Sequence, residues 1–307
     1  MAISETSAPR EAPGPPRRSR MQEMVRSLHH PNFQLFFGGQ LISLIGTWMD
    51  TIAEAWLVYR LTHSSLLLGV AGFASQIPVF LLAPIGGLVA DRFNRHRVVI
   101  GTQASSMLLA SILSFLTLTR RVTVMDVIVL AALMGCVNAF DIPARQAFLV
   151  DMVGREDLMN AIALNSSMFN GARVIGPSVA GILVASIGEG WCFFANAVSY
   201  IAVIAGLLLM KIERTNTKRR EGSPIEHIKE GFRFVQNTAP IRAILLLLGL
   251  VSLVGMPYTV LMPVFATKIL HGNASTLGVL MGATGIGALA GALLLASRTE
   301  LRGLGRF

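Results

Sequence analysis

Eight long apolar runs separated by polar turns set the plan of this chain. They cover residues 33–59, 66–90, 98–118, 124–144, 161–186, 192–210, 241–265 and 275–297. Each is close to or above the roughly 20 residues that a helix needs to cross a bilayer. Short turns lie at 60–65, 119–123, 187–191 and 266–274, and the longer polar stretches are 145–160 and 211–240. The pattern predicts an all-α polytopic membrane protein. Residues 1–32, rich in Pro, Arg and Ser, are expected to form a disordered cytoplasmic N-terminus. They hold no apolar core of the kind a signal peptide needs.

Within this pattern, residues 33–210 form one set of six spans and 211–240 a charged linker. In that linker Ile225, Ile228, Phe232 and Val235 follow Pro224 at helical spacing, which predicts a short amphipathic helix on the cytoplasmic surface. Residues 241–307 add spans seven and eight. Six spans, a linker and more spans is the plan of a transporter built from two six-helix halves. On that plan spans nine to twelve are absent, and Gly305-Arg306 resembles the tail of a loop repeated from the first half.

Composition agrees with the pattern. The chain is 53% hydrophobic and only 14% charged, where soluble domains carry about a quarter charged residues. The net charge of +9 would point to nucleic acid in a soluble protein, but its placement points elsewhere. With the N-terminus inside, the basic residues fall on the cytoplasmic side, except Arg60, Arg120, Arg121 and Lys268 outside and Arg173 within a span. That asymmetry is the positive-inside rule, and it predicts a multi-pass protein of the cell membrane with a cytoplasmic N-terminus. It also supports the least apolar span, 161–186, which contains Asn165, Asn170, Arg173 and Pro177. Without that crossing, the basic linker would face outward. The expected partners are the lipid bilayer, a small-molecule substrate and protons, with no nucleic acid.

The most distinctive turn lies between spans two and three. Gly87, Asp91, Arg92 and Arg95 fall in register on the pattern G-x-L-x-D-R-x-G-R-[RK], with Val89 for its leucine, Asn94 for its second glycine and His96 at its last position. Asn tolerates positive φ, so a tight turn is expected there. Further strings are Asn32-Phe33 to Phe37 with Gly39-Gln40, Gly46-Thr47-Trp48-Met49 and Trp56-Leu57-Val58-Tyr59. Later come Asp141-Ile142-Pro143-Ala144-Arg145-Gln146-Ala147-Phe148, Asn160 to Ser166, and Arg173-Val174-Ile175-Gly176-Pro177 with Gly181. In order and spacing this set resembles the major facilitator superfamily, and within it the enterobactin-exporter-like branch. The resemblance implies the major facilitator fold, with a complete six-helix N-terminal half and about two helices of the second half. It implies a secondary exporter of small molecules, drug- or siderophore-like and commonly proton-driven. It also implies that the loop charges Asp91, Arg92 and Arg95, with Asp141 and Arg145, form a latch for the outward-facing state, here pairing Arg95 with Asp141. Gly176, Pro177 and Gly181 match its exporter-type helix motif, although such residues also serve close helix packing.

Three charges inside spans are the candidates for transport and coupling. Asp50 and Glu54 lie four apart and share one face of span one. Acids within a membrane are costly and face a partner or a wet cavity, which suits them to bind and release a proton. Arg173, near the middle of span five, needs a counter-charge, and Asp50 or Glu54 is the expected one. Trp48 lines a pocket or joins the aromatic belt, where Trp56 and Tyr59 belong. The six histidines lie outside the spans without metal-ligand spacing, and Cys136 and Cys192 lie within apolar runs. No cofactor, nucleotide loop or clustered catalytic set is legible, so an enzyme is not expected. Two readings stand: a proton-coupled exporter, and a truncated, transport-inactive membrane protein that needs a partner or the missing helices. The orientation has a direct test: a tag within 211–240 or at Phe307 should be inaccessible from outside intact cells, and accessibility there would reverse the topology.

Overall fold

The structure, a computed structural model, describes residues 26–211, 233–255 and 257–296. The described residues are almost all helical. Six helices come first: α1 (Pro31–Thr62), α2 (Ser65–Arg92), α3 (Arg95–Leu118), α4 (Val124–Val153), α5 (Leu158–Ile187) and α6 (Glu189–Leu209). Then follow α7 (Ala239–Gly255), α8 (Pro257–Val264), a π-helical turn at Phe265–Ile269 and α9 (Ala274–Ala296). Among the described residues seven segments are long and apolar enough to cross a membrane, counting Ala239–Ile269 as one, and the last helix is apolar over Ala274–Ala288. The expected linker helix after Pro224 and the repeated loop at Gly305-Arg306 lie outside the described residues, apart from the end of the linker.

Local chemistry starts the helices where they start. Ser64 caps α2 by accepting from the Leu67 N–H, and Thr123 and Asp126 close a reciprocal capping box on α4. Asn94 departs from the expected tight turn. Its φ is −64°, and its side chain accepts the Arg97 N–H as the N-cap of α3. The position is thus met as a helix start, without left-handed backbone. Prolines at 78, 84, 143 and 177 sit inside helices, as membrane helices tolerate.

Helix α4 runs nine residues past the expected end of its span. Phe148, Leu149, Met152 and Val153 are buried at helical spacing in an apolar core with Phe33, Phe36, Val99 and Leu207, at the end of the bundle where α1 begins. The stretch 145–160 is therefore mainly the last turns of α4 and the first of α5. The N-terminal boundary moves as well. Arg26–His29 form a 3-10 turn within the segment expected to be disordered. Ser27 is fully buried and donates through N and Oγ to Asn160 Oδ1, while Arg26 and His30 both reach Asp157.

The helices pack as α2 on α4, α1 on α6, α3 on α6 and α4, and α5 on α1 and α9. A second apolar core lies toward the opposite end of the bundle, around Ile52, Leu57, Tyr59, Val127 and Phe193. Between the two cores runs a buried polar layer: Gln40, Ser43, Thr102, Gln103, Ser106, Asp141, Asn196 and Ser199. Close approach is made at glycines. A methyl group on Gly86 would overlap the Ala139 carbonyl of α4, and Gly181 of α5 meets Gly278 of α9 backbone to backbone.

The contact at Gly86 sorts the loop motif's two neighbouring glycines. Gly87 faces open space. Gly86→Ala should destabilise the purified chain by about 1–3 kcal/mol through overpacking. Gly87→Ala should be neutral or stabilising by up to about 1 kcal/mol, through helix propensity. Thermal unfolding in detergent reads both, and equal losses would contradict the packing.

Candidate functional site

Among the described residues the charges expected at the site fall into three groups, with Arg173 apart from them, and they do not follow the expected pairing. At the N-terminal end of α3, Arg95 Nη1 binds both oxygens of Asp151, at 3.1 and 3.3 Å. The same group donates to the Ala147 carbonyl at 3.3 Å, and Arg95 Nε donates to the Ala90 carbonyl at 3.1 Å. Asp91 stands 3.9 Å away on the preceding turn and is largely exposed, as is Arg92. Arg95 thereby ties the ends of α2 and α3 to α4. Its partner is Asp151, where Asp141 was expected. Ten residues of helix separate the two acids, a rise of about 15 Å, so Asp141 lies far too deep for a loop arginine.

Asp141 is instead part of the buried polar layer. Its Oδ1 accepts from Thr102 Oγ1 at 2.7 Å and Gln103 Nε2 at 2.9 Å, and Arg145 Nε lies 3.2 Å from Oδ2. Both predicted residues, Asp141 and Arg145, are thus brought together, one turn apart on the same helix. A carboxylate with two donors and a guanidinium is fully compensated, which is how a buried charge becomes structural.

Asp50 and Glu54 are placed as the spacing requires, half-buried on one face of α1. Beside them Thr47 and Thr51 are exposed. Asn196 of α6 hydrogen-bonds the Asp50 carboxyl, and it comes close because Gly46 has no side chain to block it. The other oxygen, Asp50 Oδ1, is buried with no hydrogen-bond partner among the described residues. Buried polar atoms in native structures are nearly always partnered. An acid with one oxygen left over is therefore unlike Asp141, both of whose oxygens are held.

Arg173 does not pair with Asp50 or Glu54. Its guanidinium carbon sits 5.5 Å from the centroid of the Trp48 ring, and Trp48 meets Phe169 edge-on at 5.5 Å. Among the described residues no ion pair includes Arg173. Gly176 explains the arrangement, since any side chain there would collide with the Trp48 Cβ. Pro177 is buried in the same seam, and one turn further on Gly181 receives α9.

Sequence reasoning missed Asp151, Asp157 and the Trp48–Phe169–Arg173 stack. A signal for Asp151 was present: the apolar positions 148, 149, 152 and 153 continue the helical period of α4 past its apolar run. For the stack, Phe169 and Arg173 stand four apart, and so share a face. Only the fold places Trp48 against them.

Comparison with known proteins agrees with this architecture. The sequence profile of a family described as transmembrane secretion effectors matches residues 24–303. The staphyloferrin A transporter of Staphylococcus aureus is 29% identical over 265 residues, covering 85% of this chain and 66% of that protein. The enterobactin exporter EntS of Citrobacter koseri is 26% identical over 264 residues, covering 86% of this chain and 63% of that protein. A solved bacterial homolog of the human lysosomal transporter Spinster, inward-facing and unoccupied, superposes with a TM-score of 0.64 at 15% identity. That match covers 94% of this chain and 65% of the other, and it bears on the fold alone. The chain spans less than two thirds of the length of these relatives. A match over nearly the entire sequence places this multi-pass membrane chain in the transmembrane secretion effector family of the major facilitator superfamily.

Proposed function

We propose that this chain carries the proton- and substrate-handling helices of a secondary exporter for siderophore-like small molecules. The single observation that carries the reading is the Asp50–Glu54 pair. Two acids share a half-buried face of α1, and one buried Asp50 oxygen lacks a partner among the described residues. Holding two charges there is costly in a membrane, and taking up a proton relieves both the repulsion and the unmet oxygen. A cycle follows. Protonation from the outer side neutralises the pair, and release to the cytoplasm restores the charge, with outward movement of the substrate linked to that exchange. The siderophore class rests on the names of the staphyloferrin A and enterobactin relatives.

The test is efflux of a panel of dyes and hydrophobic drugs from cells expressing this chain, with and without an uncoupler that collapses the proton gradient. Efflux should depend on the gradient and fall to the vector background in Asp50→Asn and Glu54→Gln. Unchanged, gradient-dependent efflux in both variants would remove the acids from coupling. Absence of efflux from well-inserted wild-type chain would contradict the exporter reading.

A further inference from the structure

Arg173 is a cation inside a membrane span, and among the described residues no anion pairs with it. Among those residues its partner is the Trp48 ring, and no hydrogen bond engages its guanidinium. A cation–π contact uses the charge of an arginine and leaves its five N–H donors unspent. Other charges in the same half show how complete compensation looks. Asp141 has two donors and Arg145, Arg95 has Asp151 and two carbonyls, and Arg60 has Glu189 at 2.7 Å.

The surroundings of Arg173 are built to hold it. Trp48 packs against a small apolar cluster of Leu44, Met168 and Ala172, and its close fit to α5 depends on Gly176. Phe169 braces the ring edge-on and is itself 44% exposed. On the same face of α5 Ser166 is exposed, and Asn170 and Arg173 are half-buried. Exposed helix faces elsewhere present Leu66, Phe73, Phe80, Leu108 and Phe115, as a lipid-facing surface does. A face combining a hydroxyl, an amide, a guanidinium and two aromatic rings instead suits a water-filled cavity.

We infer that Arg173, with Trp48 and Phe169 as an aromatic wall, is the docking point for the anionic group of the transported molecule. The ligand class is an organic anion that carries a carboxylate next to a flat apolar ring. The guanidinium fork matches a carboxylate with two parallel N–H donors, and the ring lies against Phe169 and Trp48. This assignment rests on the exporter reading above and adds to it the charge of the substrate.

The test is equilibrium binding to the purified chain in lipid nanodiscs, using fluorescent aryl carboxylates and their uncharged methyl esters as matched probes. The same pairs are followed for efflux from cells. The wild type should bind carboxylates about tenfold or more tightly than their esters, as a charged hydrogen bond implies. Arg173→Gln should lose that preference while keeping ester affinity, which certifies that the variant is folded. Arg173→Lys should restore part of it, and Trp48→Leu should weaken both members of each pair. Wild-type chain that binds and exports esters as well as carboxylates would overturn the anion assignment and leave the exporter reading standing. A carboxylate preference that survives Arg173→Gln would do the same. Failure of every pair to bind or to be exported would overturn both.

Discussion

Backbone-to-backbone approach at glycine is the constraint on which this structure depends. In hydrocarbon the lipid tails are as apolar as the helix faces, so association rests on close packing and buried hydrogen bonds. Gly86 brings α2 onto α4, Gly46 admits Asn196 of α6, Gly176 admits Trp48, and Gly181 meets Gly278. Two of these contacts also set a polar group in place. Asn196 reaches Asp50 because of Gly46, and Trp48 lies under Arg173 because of Gly176. The small residues that resemble an exporter motif thus have a physical task in this chain: they position an aromatic ring beneath a cation.

The charges divide into two kinds once they are counted against their partners. Arg95 with Asp151, Arg145 with Asp141, Arg60 with Glu189, and Arg26 with Asp157 are paired and hold helix ends or the buried polar layer. Among the described residues Asp50 and Arg173 are compensated only in part: one carboxyl oxygen has no donor, and the guanidinium has only a ring. Incomplete compensation inside a membrane is costly. It persists where a proton, water or substrate supplies the rest, and both groups belong to helices α1 and α5, which pack together.

Much of the helical plan was legible in the sequence, because hydropathy acts on long stretches. All eight apolar runs coincide with helical segments, and the i, i+4 acids on α1 share a face as the period demands. What failed was local. Helix α4 continues through Arg145 and Asp151, since four buried apolar residues carry its period while polar neighbours lower its hydropathy. With its end misplaced, Asp141 looked like a surface acid and was matched to Arg95. Asn94 stands where the motif has glycine, yet a side chain able to accept the Arg97 N–H makes it a helix cap. The expected counter-charge for Arg173 followed from charge alone. An aromatic face is a second way to meet a cation, and no spacing rule links residue 48 to residue 173.

On the proposed function Asp50 and Glu54 exchange protons, whereas Asp141 is locked in place by its partners. A hydrophobic carbodiimide, which modifies protonated carboxyls within membranes, separates the two on the purified chain, with mass spectrometry locating the adducts. The account predicts modification at Asp50 or Glu54 and none at Asp141, whose oxygens are held by Thr102, Gln103 and Arg145. Equal modification of Asp141, or none at either acid of α1, would contradict it.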